Sequence, residues 1–417
     1  MKKIVGFIAV VVLILGIFLG YKVVYKASPR DFITKETKII YANEGISSKN
    51  FTLLLELFDK EKVSGLNSEI SNLKYISKFY VFSDKEFYAI NEKSFTVVVD
   101  TGYWYFFLLK NLGRYFELKD DLYVLKREYK DKYLPKLKTD LFMKNYKGLF
   151  IFSLGEKNLK DFMVKDKKYL YNKEIEERLD LQRDNLLGTF IYNNTEVEFY
   201  GLDYLINSVD IKDGKLISDI ELVLDKEKNE IFKNNKNERE LLKYFGKNNI
   251  YFSVNDFSKL DKLLFNPFVT GVNIDIKSIL ILWKNLLGID IEKILKEIDG
   301  EVLYRVDENS FMIKIKDEAP EIEKVLKMLG DENSAFYIGR KIEKKDGIVI
   351  IGDSKFDERT KVVALSDETF VYGKLESFEF MGFEGVEATI HGEDQNVKIK
   401  LIIPVEEFKK MVIRRQI

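Results

Sequence analysis

The chain has no cysteine and one histidine, His391, among its 417 residues. Without cysteine there is no disulfide, thiolate metal site, thiol nucleophile or lipidated N-terminal cysteine, and a lone imidazole excludes any centre built from two. Proline is scarce, at 5, and no long Pro-rich, Gly/Ser-rich or single-sign tract interrupts residues 31–417, so the body reads as continuous and ordered. Charge of one sign is missing too. Lys+Arg 67 against Asp+Glu 68 gives a formal net charge of -1, which removes the broad basic footprint that phosphate-backbone binding needs, so no nucleic-acid partner is expected.

Familiar catalytic signatures are also absent. There is no G-x-S-x-G elbow and no G-x-G-x-x-G turn, and Gly246-Lys247 lacks the glycine five residues earlier that a phosphate loop requires. No calcium loop with alternating acids can be found, and Asp213-Gly214, Asp299-Gly300 and Asp346-Gly347 read as turns. His391 sits in ATIHGEDQN and is placed at a hairpin tip, as a structural or solvated residue. A pair of carboxylates could cleave a glycoside without histidine, and 68 acids make such a pair available, yet no two stand out from the solvated charge pattern. No catalytic residue, metal ligand or cofactor is expected.

Hydrophobic residues make up 46% of the chain and aromatics 14%, ample for a folded body. The strongest apolar run is Ile4 to Tyr21, preceded by Lys2 and Lys3 and followed by Lys22. A hydrocarbon core of ~30 Å needs about 20 such residues, so the run predicts an uncleaved N-terminal transmembrane helix. A cleaved signal peptide competes with this reading, but Tyr25 is too large for the small-residue position that cleavage requires. A short tail staying inside and a large body following outside would place the protein as a single-pass protein of the bacterial cytoplasmic membrane with an extracytoplasmic C-terminal body.

Strand-like stretches dominate that body. Lys78 to Ser83, Glu86 to Asn91 and Ser94 to Asp100 predict three successive antiparallel strands, and further strands are expected from Gly148 to Asn396 onward. Helices are predicted over Glu318–Leu329, with Pro320 in the first turn and Gly330 as the stop, and after Asp290 as N-cap, with Ile276–Leu287 and Asn172–Asn185 as two more. NEKSFTVVVD from Asn91 matches DENSFMIKIK from Asp307 at an offset of 216, and Leu112-Gly113 matches Leu329-Gly330 at 217. Strand-to-helix segments begin at Lys38, Gly148 and Asn249. The expected fold is therefore α+β: an N-terminal transmembrane helix followed by repeated antiparallel-sheet-plus-helix units, divided as 1–30 (anchor and juxtamembrane segment), 31–140, 141–245 and 246–417.

One segment carries the only candidate binding residues. Gly102 to Leu109 reads Gly-Tyr-Trp-Tyr-Phe-Phe-Leu-Leu, apolar around a whole helical turn. Packing of a helix on a sheet accounts for such a run. The sharper reading is an apolar surface or groove for a lipid chain, lined by Tyr103, Trp104, Tyr105, Phe106 and Phe107.

The N-terminal run, IYFSVNDFSKLDKLL and EVLYRVDENSFMIKIKDEAPEIEKVLKML together loosely resemble bacterial single-anchor extracytoplasmic proteins of uncharacterised function. The resemblance covers about two thirds of the body and brings no catalytic motif with it. What it implies is a cell-envelope location and a sheet-plus-helix architecture. The function expected is a non-enzymatic binding or scaffold protein of the envelope, partnered by the membrane through Ile4 to Tyr21 and by an envelope protein or lipid. A lipid-binding or lipid-transfer module is the alternative, and a carboxylate-dependent hydrolase the third reading.

Overall fold

A computed structural model of the chain describes residues 26–44, 78–85, 91–134, 138–164, 173–181, 188–193, 202–224, 239–257, 284–285, 288–334, 339–353, 355–356, 365–380, 383–393, 396–407 and 410. Contacts divide the chain into two units, residues 1–193 with 208–210 and residues 194–207 with 211–417.

The first unit contains, in chain order, β1 (Ile39–Asn43), β2 (Lys78–Ser83), β3 (Thr96–Asp100), α1 (Tyr105–Tyr115), β4 (Phe116–Lys119), β5 (Leu122–Leu125), α2 (Arg127–Tyr133), β6 (Phe142–Tyr146), β7 (Leu149–Ser153), α3 (Glu156–Val164), α4 (Lys173–Leu181) and β8 (Gly188–Asn193). The strands pair antiparallel in the order β8-β1-β2-β3-β7-β6-β5-β4. Central strands β3 and β7 carry the unbroken runs Thr96–Val99 and Leu149–Phe152, rich in β-branched and aromatic residues, as a strand covered on both faces requires. On one face Phe79, Val97, Val99, Phe150 and Phe152 receive Tyr105, Leu108, Leu109 and Leu112 of α1. On the other, Tyr80 stacks on Phe82, and Phe82 meets Phe162 of α3, which stacks on Phe32 at a centroid distance of 5.1 Å. Phe32 ends a 3-10 turn, Pro29–Phe32, that is fixed by a Ser28/Asp31 capping box.

The second unit contains β9 (Leu202–Lys212), β10 (Lys215–Leu224), β11 (Asn249–Ser253), α5 (Ile291–Glu297), β12 (Ile298–Arg305), β13 (Ser310–Ile315), α6 (Pro320–Gly330), β14 (Ile342–Lys345), β15 (Ile348–Ile351), β16 (Thr369–Phe380), β17 (Phe383–Glu393) and β18 (Asn396–Pro404). Its antiparallel order is β14-β15-β13-β12-β11-β16-β17-β18-β10, with β9 paired to β10. Ile313, Ile315, Val349 and Ile351 carry Ile294 of α5 and Ile322 and Leu326 of α6. The opposite face packs Tyr251, Leu303, Met312 and Ile350 under Leu241, Leu242, Tyr244 and Phe245, which belong to or follow the 3-10 turn Glu240–Tyr244.

The two sheets share one pairing scheme. A row crossing the first runs Ile191–Ile40–Phe82–Thr96–Ser153–Phe142, and a row crossing the second runs Tyr372–Tyr251–Leu303–Met312–Ile350–Glu343. Each row lies on the face opposite the helix that follows its fourth strand, α1 after β3 and α6 after β13. Thr96 and Met312 occupy the same place in the two rows, and their numbers differ by 216. One elaboration breaks the match: residues 116–141 after α1 form β4, β5 and α2, whereas residues 331–341 after α6 contain no element among those described.

The expected fold class needs correction on two counts. First, long antiparallel ladders dominate, with β16, β17 and β9 reaching 12, 11 and 11 residues, so this is mostly large antiparallel sheet rather than balanced sheet-plus-helix units. Second, no helix among the described residues is long and apolar enough to cross a membrane. The longest, α1 and α6, have 11 residues, which span about 16 Å, roughly half a hydrocarbon core. The run Ile4 to Tyr21 lies outside the described residues, so the structure gives no support to the transmembrane anchor or to a single-pass location in the cytoplasmic membrane with an exported body.

Local corrections have local causes. β2 pairs directly with β3, leaving no place between them for a strand over Glu86–Asn91, of which residues 86–90 lie outside the described ones. Asp299-Gly300 is not a turn but lies within β12, where the register to β13 shifts between Ile298 and Val302 and Gly300 has φ +74°. Asp213-Gly214 and Asp346-Gly347 do turn, with both residues left-handed in each hairpin. His391 sits within β17, paired to Tyr372 and Lys398, and not at a tip. Asp290 caps α5, accepting from the Lys293 amide, but the helix stops at Glu297 because Ile298 already joins the ladder. Of Ile276–Leu287 only 284–285 are described.

Candidate functional site

Helix α1 is amphipathic by its spacing: Tyr105, Leu108, Leu109 and Leu112 fall at i, i+3, i+4 and i+7, and that stripe meets the sheet. The leading 3-10 turn, Gly102–Trp104, starts from Gly102 with φ +56°, whose amide is held by Asp100 Oδ1 at 2.7 Å. Asp100 is itself fixed by Lys26 Nζ at 2.7 Å. The turn from β3 into α1 is thus rigidly set.

This geometry divides the aromatic run. Tyr105 is buried, 7% exposed, with its ring 5.1 Å from that of Phe150. Trp104, Phe106 and Phe107 point outward and are 44, 61 and 54% exposed. The Tyr103 side chain lies outside those described. Trp104 and Phe107 meet edge to face at 6.0 Å, and Phe106 meets Tyr105 edge to face at 5.4 Å.

The shared pairing scheme supplies a comparison within the molecule. Aligned at Gly113 and Gly330, the buried positions Tyr105, Leu108, Leu109 and Leu112 correspond to Ile322, Val325, Leu326 and Leu329, apolar in both helices. Tyr105 and Ile322 are equally covered, each 7% exposed. The outward positions differ in kind: Trp104, Phe106 and Phe107 correspond to Glu321, Glu323 and Lys324. In α6 these charges are engaged locally, Glu323 with Lys344 Nζ at 2.7 Å and Glu321 with Lys293 Nζ at 3.7 Å. The fold therefore accepts charge at positions where α1 carries rings.

Beyond the rings, the outward face of α1 turns basic. Lys110 and Arg114 are exposed and follow Phe107 at i+3 and i+7. Neither has a carboxylate within ion-pair distance among the described residues, and residues 102–115 contain no acid. The Lys126 ammonium closes the helix end on the Gly113 and Arg114 carbonyls at 2.8 and 3.1 Å. Tyr115 packs on Tyr129 of α2 at 5.0 Å, which ties the elaborated segment to the same end of α1. The sequence reading missed Lys110 and Arg114, although their spacing from Phe107 could have found them.

Other clusters are consumed by the fold. In the first unit, Arg30 Nε lies 2.6 Å from Glu44 Oε1 and 3.2 Å from the Tyr80 hydroxyl, which donates to Glu44. Burial opposes ionisation of Glu44, but the bonds from Arg30 and Tyr80 outweigh it and hold the carboxyl below the usual range. In the second, fully buried Glu301 accepts from the Glu240 and Leu241 amides at 3.0 and 2.9 Å and from the Tyr251 hydroxyl at 3.1 Å. Burial there wins, and its carboxyl is pushed up. An open trough of about 470 Å³ crosses β16, β17 and β18, but Glu376 is paired with Lys374 and Lys247, and Glu387 with Lys215. Among the described residues no group of three His, Asp or Glu could hold a metal ion.

No family model matches the chain, and no curated protein does. A solved structure described as "Structure of crystal form IV of TP0453" aligns with 51% of this chain and 86% of its own at 8% sequence identity and a TM-score of 0.30. A likeness that low carries no argument about function.

Proposed function

We propose that the chain is a lipid-binding module that docks on a lipid surface through the outward rings of α1, with no catalytic role for that face. The observation that carries the reading is the comparison of α1 with α6: one fold holds Glu321, Glu323 and Lys324 at the positions of Trp104, Phe106 and Phe107. Charges fill the matching places in α6, and exposed aromatics in one short segment mark an interaction surface. Trp and Phe on the outer face of a short helix also suit the boundary between headgroups and acyl chains. The rings project from a helix face, so the reading is of a surface that enters lipid rather than a groove that encloses it.

The test uses Trp104 as its own reporter. The chain has 2 tryptophans, so Trp283→Phe leaves Trp104 alone. Titration with phosphatidylcholine vesicles is expected to shift its emission to shorter wavelength and to make it quenchable by brominated acyl chains. Unchanged emission at saturating lipid would overturn the reading. Crosslinking from position 106 to a protein in place of lipid would favour the scaffold reading instead.

A further inference from the structure

Resting on that reading, we infer that α1 selects anionic phospholipid headgroups at the bilayer surface, through Lys110 and Arg114. Three observations converge on this pair. They share the outward face with Phe107, displaced by one and two helical turns, so they lie within about 10 Å of the rings along the axis. They have no ion-pair partner among the described residues, whereas the neighbouring Lys119, Lys130 and Lys144 are paired with Glu117 at 2.5 Å, Asp140 at 2.8 Å and Asp121 at 2.6 Å. Finally, the Lys126 ammonium sits on the last carbonyls of α1, adding positive charge where the helix end would otherwise present negative dipole.

A helix whose first turn enters the interface brings its later turns level with the phosphates. Long basic stems can then lie along the apolar boundary with their heads in the headgroup layer. The Arg114 guanidinium lies 5.5 Å from the Tyr115 ring centroid, which holds the fork at the helix end. A guanidinium and an ammonium both bind phosphate, the first bidentately.

The experiment compares the full chain on vesicles of phosphatidylcholine alone and of equal parts phosphatidylcholine and phosphatidylglycerol, by co-sedimentation and by Trp104 emission in the Trp283→Phe background. Each cation near an anionic surface contributes about fivefold to binding, so the pair gives a preference of about 25-fold for the mixed vesicles at low salt, falling as salt rises. In K110Q/R114Q that preference should disappear while the emission shift on neutral vesicles persists. Equal binding to both compositions, or a preference that survives K110Q/R114Q, would overturn the headgroup inference and leave the lipid-surface reading standing. Failure to bind either vesicle would remove the lipid-surface reading itself. A thermal melt of K110Q/R114Q coincident with wild type keeps loss of fold from imitating loss of selectivity.

Discussion

Exchanging the outward residues of α1 for those of α6, as W104E/F106E/F107K, separates folding from docking in one variant. The three rings are 44, 61 and 54% exposed. With each aromatic side chain offering ~200 Å², about 320 Å² of ring surface stands in water. At ~25 cal/mol per Å², full removal of that surface from water would contribute about 8 kcal/mol, of which association entropy offsets at least about 4. The variant should therefore lose essentially all vesicle binding. Its stability should hardly change, because exposed substitutions usually stay within about 0.5 kcal/mol each and the edge contact of Trp104 with Phe107 is worth about 1 kcal/mol. Urea unfolding and vesicle co-sedimentation on the same preparation read both quantities. A loss of stability above about 4 kcal/mol would refute the reasoning, since the rings would then be part of the core. Retained vesicle binding with a native melt would refute it from the other side. Tyr105→Glu is the internal control: a charge placed against Val99 and Phe150 should unfold the first unit.

Two further predictions concern the second unit. Burial raises the Glu301 carboxyl, so its contribution is fully present below the ordinary glutamate value and declines as pH rises through the folded value. Wild type should lose stability relative to E301Q as pH rises above the ordinary glutamate value, and a difference in urea midpoint that stays constant or grows in favour of wild type would contradict the assignment. Gly352 has φ +125°, and a Cβ there would stand 2.5 Å from Ser310 Cβ and 2.9 Å from Ser310 Cα. G352A should therefore destabilise by at least about 2 kcal/mol in urea unfolding; a neutral result would mean that β13 can shift away from the end of β15.

Short-range features were legible in the sequence and long-range ones were not. The Asp290 cap, the left-handed Asp213-Gly214 and Asp346-Gly347 turns and the apolar stripe of α6 depend on residues a few positions apart, and local chemistry decides them. The pairing of β3 with β7 does not: it brings Val97 beside Phe152 across an intervening helix, hairpin, second helix and strand β6, and nothing in either strand names the other. The same limit explains the expected meander, where local alternation places Glu86–Asn91 between its neighbours but β2 takes β3 as its partner. At the site, the concentration of aromatics over Tyr103–Phe107 was visible, but treating the segment as uniformly apolar hid the division made by Tyr105, Leu108, Leu109 and Leu112, which turns Trp104, Phe106 and Phe107 outward.

The shared pairing scheme distinguishes substitutions that serve the fold from those that serve something else. Tyr80 and Glu301 occupy one position, two residues before Phe82 and Leu303 in the matching rows. Both reach a 3-10 turn that precedes a matching strand, β1 or β11, Tyr80 through its hydroxyl to Arg30 and Glu301 through its carboxylate to the Glu240 and Leu241 amides. The chemistry differs, but the mechanical task is the same, so the difference carries no functional message. On the outward faces of α1 and α6 the reverse holds. Glu323 and Lys324 are tied to Lys344 and to the Gly288 carbonyl, whereas Phe106 and Phe107 place large apolar surface toward solvent. The elaboration over residues 116–141 also belongs to the first unit alone and packs against the end of α1 through Tyr129. Two departures from the common scheme, one in side chains and one in added backbone, therefore meet at a single helix.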